Sequence, residues 1–216
     1  MDFSAARTAL IDSQVRPNDV TDRRLIGAMA SIPREVFVPA SRRAAAYADV
    51  AVETGAGRWL ITARDFSKLV NIAGVRPEDR VLDIAPGTGY STAVLARMAS
   101  TVVALEQDEA SVKTLKEGLA AAGVAGIETM AGPLKAGAPG KGPFDVIFVN
   151  GAVEEVPAAW LSQLAEGGRL AVAVIEGGVC RARIYTASGG KTAWRTPFDA
   201  PVPALPGFER AAEFRF

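Results

Sequence analysis

The 216-residue chain contains no histidine and one cysteine, Cys180. Without imidazole there can be no Ser/His/Asp triad, no Cys/His pair and no His-ligated zinc. A lone thiol closes no internal disulfide and builds no thiolate metal site, so no metal is expected. Neither sign of charge is in excess, with Lys+Arg and Asp+Glu at 24 each, and no basic surplus is left to recruit nucleic acid or an anionic membrane. Long apolar runs are missing too, which excludes a spanning helix of about 20 residues. The opening residues, MDFSAARTALIDSQVRP, lack the basic and apolar blocks of a secretory signal. The expectation is a soluble, cytoplasmic protein, monomeric or weakly dimeric.

What is present reads as one globular unit, with 49% hydrophobic and 22% charged residues. Apolar spacing of three to four predicts helices over 4–15 and 21–31, parted by RPND. Pro33 and Pro39 forbid one long helix in the next stretch, AVETGAGRWLITARDF reads as irregular or strand-like, and a helix is expected over 64–74, ending at Gly74. From residue 80 strands and helices alternate: RVLDIA, GYSTAVLARMA, TVVALE, EASVKTLKEGLAAAG, IETMAG, DVIFVN, EVPAAWLSQLAEGG and RLAVAVI. Such alternation predicts an α/β fold of the Rossmann-like kind, a mostly parallel sheet covered on both faces. A C-terminal antiparallel hairpin should turn at Gly189 and Gly190, with AEFRF as a last strand and PFDAPVPALPGF crossing a sheet edge. The expected organisation is an N-terminal helical segment, residues 1–75, packed on an α/β domain, residues 76–216.

In an open parallel sheet, ligands bind beyond the carboxyl ends of the strands where the order reverses. The stretch VLDIAPGTGYSTAVLA lies at the first such end. Gly87 and Gly89 suit a close backbone approach, Ala85 and Pro86 occupy loop positions that a phosphate cradle would give to glycine, and Tyr90 starts the helix. A dinucleotide GxGxxG begun at Gly87 would need Gly or Ala where Thr92 stands. Asp83, read as an open charge beside the loop, would repel a pyrophosphate and favour a sulfonium. Glu106 ends the second strand, with Gln107 beside it, where a carboxylate accepts from both ribose hydroxyls. Read at an open cleft, it should support no packing. Both acids fit S-adenosylmethionine; a plain strand-to-helix turn is the alternative.

With those residues stated, the chain resembles the protein-L-isoaspartate O-methyltransferases, a family with the class I S-adenosylmethionine-dependent fold. IPREVFVP, AYADVAVETGAG, RVLDIAPGTGYSTAVLA and FDVIFVNGAVEEVPAAWLSQLAEGGRL carry the likeness. The resemblance implies methyl transfer from S-adenosylmethionine to a carboxylate of abnormal isoaspartyl residues in damaged proteins, hence protein repair with a protein or peptide substrate. Two departures stand out. The family's substrate loop reads GQTIS followed by a small residue and Pro, whereas this chain has GRWLITAR: Ile61 takes the place of the Ser, a one-residue shift would offer Thr62, and Arg64 could clamp a carboxylate. After the third strand, Gly132 is followed by Pro133 where the family has an acid for the adenine amino group. Asn150, at the end of DVIFVN, is a polar contact near the methyl donor. A methyltransferase with another acceptor and a non-catalytic adenosyl-binding regulator are the rival readings; a nicotinamide oxidoreductase ranks last.

Overall fold

The computed structural model describes residues 1–210; the expected strand AEFRF lies outside them. Asp2 starts the first helix, α1 (Phe3–Leu10), by accepting from the N–H groups of Ser4 and Ala5. The chain continues through a wider turn, Ile11–Val15, into a 3-10 turn, Arg16–Asn18, that accommodates Pro17. Asp22 caps α2 (Arg23–Ser31), which buries Leu25, Ile26 and Met29. As the prolines require, no long helix follows: two 3-10 stretches, Arg34–Phe37 and Ala40–Tyr47, lead to an antiparallel hairpin. Its strands are β1 (Val52–Gly55) and β2 (Arg58–Leu60), paired with each other and not with the main sheet. Thr62 then caps α3 (Ala63–Ala73), which ends on left-handed Gly74.

The main sheet has seven strands: β3 (Arg80–Ile84), β4 (Thr101–Glu106), β5 (Glu128–Ala131), β6 (Phe144–Val153), β7 (Leu164–Glu176), β8 (Val179–Ser188) and β9 (Lys191–Arg195). The order is β5-β4-β3-β6-β7-β8-β9. The first five run parallel, and β8 and β9 are antiparallel additions. The chain leaves β3 towards β4 in one direction and later returns to β6 on its other side, so the order reverses between β3 and β6. Helices α4 (Tyr90–Leu95) and α5 (Glu109–Ala121) follow β3 and β4. The helix expected from EVPAAWLSQLAEGG is only α6 (Ala158–Ser162). The chain turns to strand pairing instead: the Phe144 N–H donates to the Gln163 carbonyl at 2.8 Å, and Leu164 begins β7 opposite Phe144.

Alternation along the strands splits the core in two. Val81, Val102, Val146 and Phe148 face the N-terminal segment and α3, sharing a cluster with Met29, Phe37, Phe66 and Leu69. Leu82, Val103, Ile147 and Val149 face the opposite way, against Trp160, Leu134, Leu205 and Phe208. The Pro-rich tail does not merely skirt a sheet edge. After pairing with β8 through Ala182 and Cys180, it reaches the end of β6, where the Ala152 N–H donates to the Pro203 carbonyl and the Leu205 N–H to the Ala152 carbonyl. It thus becomes a strap over the carboxyl end of β6.

Candidate functional site

At the reversal point the loop after β3, the end of β4 and the end of β6 converge. Gly87 sits at φ +62, and its N–H donates to Glu106 Oε1 at 2.6 Å. Arg58, from β2, places Nη2 2.9 and 3.2 Å from the two Glu106 oxygens. Glu106 is therefore fully buried and neutralised, not an open-cleft acid as its sequence position suggested. Burial raises its pKa above the ordinary carboxylate value, while Arg58 and the Gly87 N–H oppose that rise. A crevice of about 200 Å³ lies here between Thr54, Arg58, Gly87, Thr88, Glu106 and Ser111.

Asp83 also departs from the expectation of a charge facing the ligand. It has no exposed surface. Its Oδ2 accepts from Ser91 at 2.7 Å and Thr92 at 2.6 Å, and its Oδ1 from Asn150 Nδ2 at 2.6 Å. Burial pushes its pKa up to about 7 against the pull of those three donors. Asp83 is thus the anchor that fastens loop, helix and β6 together, and Thr92 is part of that anchor. Asn150 also donates to the Ile84 carbonyl at 3.1 Å, so its amide ties β6 to β3.

Other expected site residues serve packing. Gly89, at φ +101, points its missing Cβ at Leu115, 2.8 Å away, and so admits α5 against the loop. Tyr90 is buried between Phe37 and Phe66, with ring centroids at 5.6 and 5.2 Å, and the Arg34 guanidinium lies 4.7 Å from its ring. Ala85 is a buried left-handed residue whose N–H donates to the Leu105 carbonyl, and Pro86 is buried beside it. The Gly132 N–H donates to the Glu106 carbonyl at 2.8 Å, which places β5 and its Pro133 beside the end of β4. Gln107 and Pro133 line a separate, shallow crevice with Pro206 and Phe208.

The three loop candidates also separate. Ile61 is buried and lines a narrow cleft with Asn150, Gly151 and Leu205, which has no room for a water-sized occupant. Its carbonyl accepts from the buried Arg34 guanidinium. Thr62 is a helix cap: its hydroxyl donates to Asp65 Oδ2 at 2.9 Å and accepts from the Asp65 N–H at 3.0 Å. Arg64 pairs with Asp65 at 3.4 Å. Sequence reasoning missed Arg58, Thr54 and Ser111. A guanidinium 48 positions from Glu106 leaves no periodic signal, although the cationic replacement inside GRWLIT was visible.

The family model described as protein-L-isoaspartate(D-aspartate) O-methyltransferase matches residues 5–195. This chain belongs to the protein-L-isoaspartate O-methyltransferase family. A Methylorubrum populi protein-L-isoaspartate O-methyltransferase is 38% identical over 170 residues, 79% of this chain and 80% of its own. One from Methanoculleus marisnigri is 36% identical over 168 residues, 78% and 76% of the two chains. Among solved structures, a protein-L-isoaspartate O-methyltransferase superposes with a TM-score of 0.80 at 24% identity, covering 93% of this chain; the chain spans 66% of that protein's length. A Plasmodium falciparum protein assigned to the same enzyme class, solved with S-adenosyl-L-homocysteine, gives 0.77 at 19% identity and covers 92% and 97% of the two chains. At those identities the structural likeness speaks for the fold, a class I methyltransferase sheet.

Proposed function

We propose that the protein is an S-adenosylmethionine-dependent O-methyltransferase acting on the free carboxylate of isoaspartyl residues in proteins and peptides. The observation that carries this reading is the Glu106 carboxylate, held at the end of β4 by the Gly87 N–H, facing a crevice at the point of strand reversal. The residues suit an adenosyl ligand in their chemistry. Glu106 can accept from two ribose hydroxyls, and Gly87 gives backbone clearance with only Thr54 Oγ1 near its Cβ position, at 3.9 Å. The crevice is smaller than the roughly 300–1,000 Å³ usual for ligand pockets, and Arg58 is one of the side chains that line it.

S-adenosylmethionine, when bound, supplies an electrophilic methyl group on a sulfonium. The chain's own task is then positional. An acceptor carboxylate, which ordinarily titrates at about pH 4, is already the nucleophile at neutral pH and needs no general base. Opposite charges cancel in the reaction, so a dry, aligned site favours it. Pro203 and Leu205 of the strap, closing on Asn150 and Gly151, exclude water at the end of β6.

The test is transfer of a tritiated methyl group to an isoaspartyl peptide beside its aspartyl twin. The isoaspartyl peptide should yield a base-labile methyl ester and the twin none. Equal labelling of both, or of neither while S-adenosylhomocysteine binds, would assign a different acceptor.

A further inference from the structure

Arg58 stands between two clefts. On one side it lines the crevice with Gly87 and Glu106; on the other it lines the narrow cleft with Ile61, Asn150 and Leu205. Its side chain is 10% exposed, and both oxygens of Glu106 lie within hydrogen-bond distance of its Nη2. Those are the lone pairs a ribose diol needs, so guanidinium and ribose compete for one carboxylate. The cleft on the Asn150 side, meanwhile, offers little for an anionic acceptor. Ile61 is apolar, the Thr62 hydroxyl is engaged by Asp65, and the Asn150 amide is engaged by Asp83 and Ile84.

We propose that Arg58 is an acceptor-orienting residue with two positions: it pairs with Glu106 until the ribose competes for that carboxylate, and once displaced it holds the substrate carboxylate at the mouth of the cleft on the Asn150 side, outside the closed interior. The proposal rests on the methyltransferase reading. Arg58 belongs to the β1–β2 hairpin, which pairs with no strand of the main sheet, so its guanidinium can change partners without breaking the seven-stranded ladder. The planar fork suits a carboxylate in either position. Linkage follows: an acceptor that draws Arg58 away from Glu106 must raise cofactor affinity, and the cofactor must raise acceptor affinity by the same factor.

The experiment is calorimetric titration of S-adenosylhomocysteine into the wild type, Arg58→Gln and Arg58→Ala, with and without an isoaspartyl peptide, alongside peptide kinetics. Without peptide, both variants should bind S-adenosylhomocysteine about ten-fold tighter than the wild type. The peptide should tighten binding several-fold in the wild type and not in the variants, and peptide KM should rise about ten-fold or more in both variants with kcat changed less. If Arg58→Ala melts too low to titrate, Arg58→Gln carries the test, because its shorter, neutral side chain fills part of the same space while giving up the charge pair with Glu106. Unchanged or weaker binding in the variants would make Arg58 a structural partner or a cofactor ligand. Weakening for S-adenosylhomocysteine but not for methylthioadenosine would place Arg58 on the cofactor's own carboxylate and overturn the proposal. An unchanged peptide KM would remove the acceptor half. A wild type that binds neither adenosyl compound would sink the methyltransferase reading itself, and this proposal with it.

Discussion

Asn150 Nδ2 lies 2.6 Å from Asp83 Oδ1 and 3.1 Å from the Ile84 carbonyl, so one side-chain amide joins β6 to β3 where the sheet order reverses. Asn150→Ala removes both bonds and leaves buried acceptors. The expected cost is about 1–3 kcal/mol of stability, read by urea unfolding. Asn150→Asp should cost more, because it sets a second carboxylate against Asp83. Neutral behaviour in both would mean the bridge contributes nothing.

The buried Asp83 predicts a pH dependence of definite sign. Its pKa stands at about 7 in the folded chain against an ordinary value near 4. The folded state therefore holds the proton more tightly. Its contribution is complete below about pH 4, declines as pH rises to about 7 at no more than about 1.4 kcal/mol per unit, and is flat above. Asp83→Asn cannot titrate. The stability of the wild type relative to this variant should fall between pH 4 and 7 and then level; a constant difference would place the Asp83 pKa in the ordinary range.

Glu106→Ala should now have two effects. Losing the ribose acceptor weakens S-adenosylhomocysteine by about ten- to a hundred-fold, by calorimetry. The apo protein should also lose about 1–3 kcal/mol, because Arg58 and the Gly87 N–H are left buried without their partner. An unaltered apo melting curve would contradict the burial of this pair.

Thr62→Ala separates a cap from a substrate contact. Loss of the Thr62–Asp65 reciprocal bonds should lower stability by about 0.5–2 kcal/mol, with turnover per folded molecule nearly unchanged. A large fall in kcat at full stability would instead put the Thr62 hydroxyl on the acceptor.

Two helical glycines should respond oppositely to alanine. A Cβ at Gly118 would lie 2.0 Å from the Thr88 carbonyl, so Gly118→Ala must push α5 off the loop after β3, lowering both stability and adenosyl affinity. In α2, a Cβ at Gly27 would meet no atom within 4 Å. Gly27→Ala should raise stability by about 0.5–1 kcal/mol through helix propensity alone. Thermal melts with and without S-adenosylhomocysteine read both.

By itself the sequence determined what local pattern encodes. The short apolar runs of RVLDIA and DVIFVN, the helix stop at Gly74, and the hairpin at Gly189–Gly190 are all relations between near neighbours. So was the meeting of Glu106 with the loop that carries Gly87, because β3 and β4 are adjacent parallel strands and adjacency follows from strand-helix-strand order. Tertiary structure alone decided which polar groups are spent on each other. Asp83 and Asn150 are 67 positions apart and Arg58 and Glu106 are 48, and nothing local tells a buried, satisfied carboxylate from one facing solvent. The shortening of α6 and the assignment of Gly89 to packing are of the same kind. Each depends on another segment's approach, the pairing of Phe144 with Gln163 and Leu164 in one case and Leu115 in the other, and that approach exists only once the chain is folded.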